Sequence, residues 1–434
     1  MNKQDDKKRV TPKLRFPEFQ ATLGWDTFKL KDVSTRILDK VGDKKLMPIS
    51  ITAGVGIVSQ EEKFGKNISG KQYKNYLILN KGDFVYNKGN SKKYPQGAIY
   101  YLDKWEKVAA PNVFLCFRLK SDQVHGFYQG YFDNNTHGVQ LQKYITSGAR
   151  SDGLLNISAD TFFNLSFAIP DPKEQQKIAD CLSSIDELIN FREQKLAALK
   201  QHKKGLMQQL FPSHNDLQAS KQASKQASKQ ASKQAIVYPK LRFPQFKDCK
   251  GWEVVELMSI GYFVKEKIEV LNLNPEDYIS TENLLSEYGG VTISNKLPTT
   301  EKVTAFQKND ILISNIRPYL KKVWVADKDG GASNDIIVIR AKSNINTSFL
   351  SSVIKNDDFI NYMMKGAKGL KMPRGDLELI SIFPVAVPSD PKEQQAIADC
   401  LSSLDKLIRE ENKQIVRLKD HKKGLMQQLF PKIQ

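Results

Sequence analysis

The run PDPKEQQK, residues 170–177, sets Asp171, Glu174 and Lys177 behind a proline, as some metal-dependent nucleases do. That chemistry needs its carboxylates on neighbouring strands around Mg²⁺. Here the acids open a helix, and the second copy of the run, from Asp390, carries Ala396 where Lys177 stands, so hydrolysis is not expected. Asn274-Pro275-Glu276-Asp277 begins like a base-methylating motif but lacks the aromatic residue that would stack on a flipped base. Cys116, Cys181, Cys249 and Cys400 are far apart with no CxxC spacing, so they signal neither zinc nor disulfides and read as ordinary apolar residues in a reducing compartment. His137 and His202 read as surface residues rather than ligands, and no GxGxxG or Walker-type glycine loop occurs. The expectation is a chain with no catalytic residue, metal or cofactor of its own. What remains is charge: a formal +18 favours polyanions, nucleic acid first and anionic membrane second. No apolar run approaches the roughly 18 residues of a spanning helix, and MNKQDDKKRV lacks the apolar core of a signal peptide, so a cytoplasmic location is expected.

The elements that must position this charge are written twice. PKLRFPEF from Pro12 returns as PKLRFPQF from Pro239, and Gly24-Trp25 as Gly251-Trp252. DPKEQQKIADCLSSIDELI from Asp171 returns from Asp390 with three changes, and HKKGLMQQLFP occurs at His202 and His421. Between these constant blocks, residues 26–170 and 253–389 differ but share a faint skeleton. GDFVYNK from Gly82 faces NDILISN from Asn309, and PNVFLCFRLKS from Pro111 faces SNDIIVIRAKS from Ser333; both pairs read as strands. The basic loop SGARSDG from Ser147 likewise faces KGAKGLK from Lys365. Two copies of one α+β fold, diverged in their loops, are expected.

DPKE starts a helix: Asp171 can cap it, Pro172 fits its first position and Glu174 falls where a capping box places an acid. Apolar residues then follow at Ile178, Leu182, Ile185, Ile189, Leu196, Leu199, Leu206 and Leu210, with Arg192 and Lys203 filling the gaps. The second helix repeats this through Ile397, Leu401, Leu404, Ile408, Ile415, Leu418, Leu425 and Leu429, with Glu411 and Lys422 in the gaps. Steps of four and three give the 3.5 period of a coiled-coil seam, and Pro212 and Pro431 end both runs. The 39 residues 172–210 would span about 58 Å. Two such struts laid antiparallel would separate the two heads about a pseudo-twofold axis; the alternative is that each helix packs only on its own domain.

This order of constant and variable blocks, with its duplicated DPKEQQ…IADCLSS and HKKGLMQQLFP helices and a central tetrapeptide repeat, resembles the specificity subunit of type I restriction-modification systems over essentially the whole chain. The resemblance implies a non-catalytic subunit whose two target recognition domains read the halves of a bipartite DNA site. It also implies helices that bind two modification (methyltransferase) subunits, with restriction (translocase/nuclease) subunits joining that core. S-adenosylmethionine and ATP would belong to those partners. The expected organisation is an N-terminal conserved segment 1–25, recognition domain 26–170, helix 171–212, spacer 213–238, recognition domain 239–389 with its lead-in, and helix 390–434. DNA-reading candidates are Lys88, Asn90, Ser91, Lys92, Lys93 and Tyr94 in the first domain, with Arg150 in the loop that also holds Ser147. In the second they are Asn315, Arg317, Tyr319, Lys321 and Lys322, then Lys368, Lys371 and Arg374 in the loop opened by Lys365. Arg and Asn suit guanine and adenine edges and Lys suits phosphate, although any single lysine can equally be a solvated surface charge. A scaffold whose charge serves RNA or membrane is the rival class; a self-sufficient restriction enzyme is disfavoured by the absent motifs.

QASKQASKQASKQASKQA, residues 218–235, joins the halves and is read as belonging to neither. Ala, Lys and Gln favour a helix or stiff spacer, with a loose coil as the alternative, and a four-residue word drifts round a 3.6-residue helix. Its sequence would matter little and its length much: one helical word adds about 6 Å, against about 34 Å for a duplex turn.

Overall fold

The skeleton shared by the variable blocks is a sheet built twice. In the computed structural model, which describes residues 9–52, 54–89, 94–145, 155–227, 235–367, 369 and 372–432, the first block forms β1 (Asp26–Lys29), β2 (Ser34–Arg36), β3 (Phe84–Asn87), β4 (Ala98–Tyr101), β5 (Leu115–Leu119) and β6 (Ser166–Ile169). The second forms β7 (Trp252–Glu256), β8 (Gly261–Phe263), β9 (Ile311–Ser314), β10 (Val323–Val325), β11 (Ile336–Ala341) and β12 (Pro384–Val387). Sheet order is β2-β5-β3-β4 in one and β8-β11-β9-β10 in the other, all antiparallel. The β-branched and aromatic runs seen in the sequence are these inner strands, buried because each sheet packs a core on both faces. Each block also opens and closes on one ribbon: Asp26 pairs with Ile169 across β1 and β6, and Glu253 with Val387 across β7 and β12.

The chain divides into two compact units, Met1–Glu193 with Lys413–Gln434, and Gln194–Asn412. Each takes one end of both long helices, α2 (Pro172–Leu210) and α5 (Pro391–Leu429); α1 (His125–Asp133), α3 (His214–Ala227) and α4 (Thr347–Ile354) are among the shorter helices. In the first unit Ile178 and Leu182 of α2 and Met426 and Leu429 of α5 enter the core, followed by Phe430, whose ring lies 4.5 Å from that of Tyr131 on α1. A Cβ on Gly130 would stand 2.6 Å from the Phe430 ring, so glycine is what lets α1 approach this closely. In the second unit Met207 and Leu210 of α2 meet Ile397, Ala398 and Leu401 of α5 in one core.

Along both helices the 3.5-residue seam is the least exposed stripe, including Arg192, Lys203, Glu411 and Lys422 in its gaps. Within the first unit Lys422 bonds Asp186 at 2.7 Å and Lys419 bonds Glu193 at 2.6 Å; within the second Lys203 bonds Asp405 at 2.6 Å and Lys195 bonds Glu411 at 3.0 Å. Numbers rise on one helix as they fall on the other, so the segments in each unit run antiparallel. Each helix therefore packs on both blocks' folds by its two ends, and the alternative of a helix confined to its own domain does not hold.

The spacer is not detached. Ser213 and Asp216 exchange cap hydrogen bonds, α3 starts at His214 and carries the first ASKQ words to Ala227, and Leu217 is buried in the second unit's core. Ser220 donates to the Ile236 carbonyl at 3.1 Å. The apolar Phe211 and Leu217 give the start of the spacer a packing face. Residues 228–234 lie outside the described residues.

Candidate nucleic-acid interface

The constant residues build the frame first. Asp171 accepts from the Lys173 amide at 2.9 Å, the expected cap. Glu174 does not close a capping box: both its oxygens are taken at 2.7 Å by Arg15, whose guanidinium also donates to the Thr22 and Leu23 carbonyls. Glu393 and Arg242 repeat the arrangement at 2.7 Å, with the Cys249 and Lys250 carbonyls. A buried guanidinium needs a charge partner and presents a two-pronged fork, so it outcompetes the helix amide for the carboxylate. Buried Gln175 accepts from the Val124 amide and donates to the Pro170 carbonyl; Gln394 does the same with Asn346 and Pro388. DPKEQQ is thus a socket: one residue caps, one grips the PKLRFP segment, and one ties the recognition fold to the helix. None of these partners was assigned from the sequence, although Arg15 and Arg242 stand in the repeated PKLRFP words.

Inside each sheet a second pair recurs, built on a buried aspartate. Arg118 forks onto Asp83 and Arg340 onto Asp310, at 2.7 to 2.8 Å, while Asp83 and Asp310 also accept the Asn80 and Gln307 amides. These pairs hold the turns before β3 and β9, the strands that lead into the candidate loops.

In the second unit the loop after β9 is an arch. Ser314, the last residue of β9, donates its amide to the Lys322 carbonyl at 3.0 Å, closing residues 315–321 into a loop. Arg317 (φ 51°) and Lys321 (φ 52°) are both left-handed and bracket the 3₁₀ turn Pro318–Leu320, at whose crown Tyr319 is 49% exposed. Two further left-handed residues, Glu287 and Tyr288, donate their amides to the Leu320 and Lys321 carbonyls. Each such residue costs about 1–2 kcal/mol, and four gathered at one place mark a backbone held by its surroundings. Lys321 bonds Asp357 at 2.8 Å and Lys322 the Thr281 carbonyl at 2.6 Å. Burial pushes the Asp357 carboxyl up, but Lys321 and Lys204 outweigh it and hold it below its ordinary value; the hydrogen bond to Asp357 raises Lys321.

The two predicted loops of this unit come together. Arg317 donates its amide to the Pro373 carbonyl at 2.9 Å, Gly375 donates to the Asn315 carbonyl at 3.2 Å, and Ile316 bridges Arg374. Arg374 pairs with Asp335 at 2.8 Å. In the first unit the Leu155 amide reaches the Lys88 carbonyl at 2.9 Å, joining the corresponding loops, and Tyr94 returns the chain to Gly97. Asn90, Ser91, Lys92, Lys93, Ser147, Arg150, Lys368 and Lys371 lie outside the described residues.

His202 is exposed, as expected, but His137 is not a surface residue: it is 2% exposed, its ring edge-on to Tyr86 and Phe132 at 6.3 and 5.8 Å. Burial lowers its pKa to about 4, keeping it neutral beneath β3 and the loop that follows. Among the described residues no group of three His, Cys, Asp or Glu could hold a metal, and no helix is long and apolar enough to cross a membrane.

Two copies of one α+β unit, each presenting a pair of joined loops at the end of a sheet, define a duplicated recognition protein. The model of the type I restriction modification DNA specificity domain matches residues 23–201 and 249–420, and the chain belongs to that family. It is 26% identical over 369 residues, 80% of this chain and 77% of the relative, to a Methanocaldococcus jannaschii protein provisionally described as the type I restriction enzyme MjaX specificity subunit. To the EcoDI specificity subunit of Escherichia coli it is 22% identical over 305 residues, 66% of each chain. Its fold matches the crystal structure of a type I restriction-modification S subunit from M. genitalium with TM-score 0.55 and 17% identity, over 98% of this chain and 100% of that one. The chain is a DNA specificity subunit, a recognition component rather than a catalyst.

Proposed function

We propose that the two recognition domains, 26–170 and 239–389, each read one half of a bipartite, asymmetric DNA site. The observation that carries this reading is the recurrence of one sheet with joined loops at its end, identical in strand order and different in loop residues. The loops that carry Lys88, Asn90, Ser91, Lys92, Lys93, Tyr94 and Arg150 serve one half-site; those that carry Asn315, Arg317, Tyr319, Lys321, Lys322, Lys368, Lys371 and Arg374 serve the other. The long helices pair as an antiparallel coiled coil that separates the domains about a pseudo-twofold axis, and they dock two methyltransferase subunits. Leu188 and Leu407, at matching positions and 42% and 54% exposed, suit such docking. Restriction subunits join that core, and the number of ASKQ words sets the gap between half-sites. Acting on chromosomal and incoming DNA, the complex works in the cytoplasm. Mapping native adenine methylation in cells carrying the chain and its methyltransferase tests this reading: a two-part motif is expected, and one contiguous motif or none overturns it. Co-purification is expected to bring down two methyltransferase subunits per chain.

A further inference from the structure

We infer that Arg317 alone among the arch's basic side chains reads a base, a guanine in the half-site of the second domain, while Lys321 holds the arch and does not touch phosphate. This deepens the two-domain reading and rests on it. The arch's cations are not equally free. Lys321 is committed to Asp357, Lys322 to the Thr281 carbonyl, and Arg374 to Asp335. Arg317 makes no ion pair with any described residue, and its Nε is buried without a hydrogen-bond partner among them. A buried guanidinium nitrogen left unpaired is costly unless a ligand completes the site.

The backbone around Arg317 is fixed from several directions. Its amide is held by the Pro373 carbonyl, its carbonyl by the Leu320 amide, and its φ of 51° is a left-handed value that a β-region residue at this point would not reach. Pro318 locks the next residue, and Glu287 and Tyr288 clamp the far side of the turn. The side chain is therefore launched from a rigid base, which is what a two-pronged contact needs: a guanidinium fork matches the O6 and N7 acceptors of guanine only when its approach is fixed. A lysine bound to a neighbouring carboxylate, by contrast, has no free charge to release counterions from DNA.

The test uses the full chain in complex with its methyltransferase subunits, acting on a plasmid library with both half-sites randomised. For Arg317→Ala and Arg317→Lys, guanine preference is expected to fall at least tenfold at one position of one half-site, with the other half-site unchanged. Arg317→Lys guards against misfolding, since it keeps the charge and stem and removes only the fork. In DNA-binding titrations against salt, Lys321→Ala is expected to leave the slope of log affinity on log salt unchanged. Preferences that stay as in the parent chain for both Arg317 variants, or that relax equally at every position, overturn the base-reading role; a slope reduced by about one for Lys321→Ala overturns the anchoring role. The parent complex decides the underlying reading separately, because a library with no two-part motif defeats that reading whatever the variants do.

Discussion

Arg15 and Glu174 lie 159 positions apart in sequence, yet their side chains are 7% and 2% exposed and doubly bonded. Removing one partner of such a pair strands a buried charge, so Arg15→Met is expected to destabilise the first unit by about 3–5 kcal/mol in urea unfolding. Arg15→Met with Glu174→Met is expected to recover most of that loss, because no charge is then left unpaired. His137 gives a second expectation at this scale. The unfolded chain protonates this ring near pH 6.5 and the folded chain only at about 4, so the unfolded state binds more protons between those values. Stability is then fully present above pH 6.5 and is lost as the pH falls toward 4, by about 3 kcal/mol over the interval. His137→Gln is expected to flatten that part of the melting-temperature profile. Neither residue declared its environment in the sequence. His137 sits in the short helix Thr136–Leu141, too brief to show a period, and its burial comes from Tyr86, 51 positions earlier.

The long helices were the most legible elements, because a 3.5-residue seam sustained over 39 residues has few other readings. The inner strands β3, β5, β9 and β11 were legible for a related reason, being β-branched and aromatic runs between turns. What the pattern could not show was where the helices end in space, since that depends on small residues such as Gly130 making room for Phe430. Phe430→Ala is expected to cost about 3–5 kcal/mol in the first unit, read as an earlier unfolding transition, and Gly130→Ala to do damage through the same contact. The spacer was half legible: its helix-forming composition agrees with α3, but the packing of Leu217 and the cap at Ser213 come from flanking residues outside the repeat. Deleting one ASKQ word is expected to shorten the preferred gap and leave both half-site words alone, which methylation mapping of the deletion strain would register.

At the scale of the whole molecule, the duplication was plain in the words DPKEQQ and HKKGLMQQLFP, and the family follows from it. The loops that would choose bases were legible only as basic, turn-rich stretches, because base choice depends on which cations the fold has already spent. Each variable block starts and finishes on one antiparallel ribbon, and it is tied to the helices by the constant Gln175 and Gln394 as well as by apolar contacts such as that of Tyr131 with Phe430. A block bounded in this way is expected to be exchangeable as a unit. The most direct measurement is methylation mapping after residues 26–170 are exchanged for the corresponding block of another specificity subunit. One half of the methylated site is expected to change while the other half is kept; a change in both halves together would contradict the account of two independent reading heads.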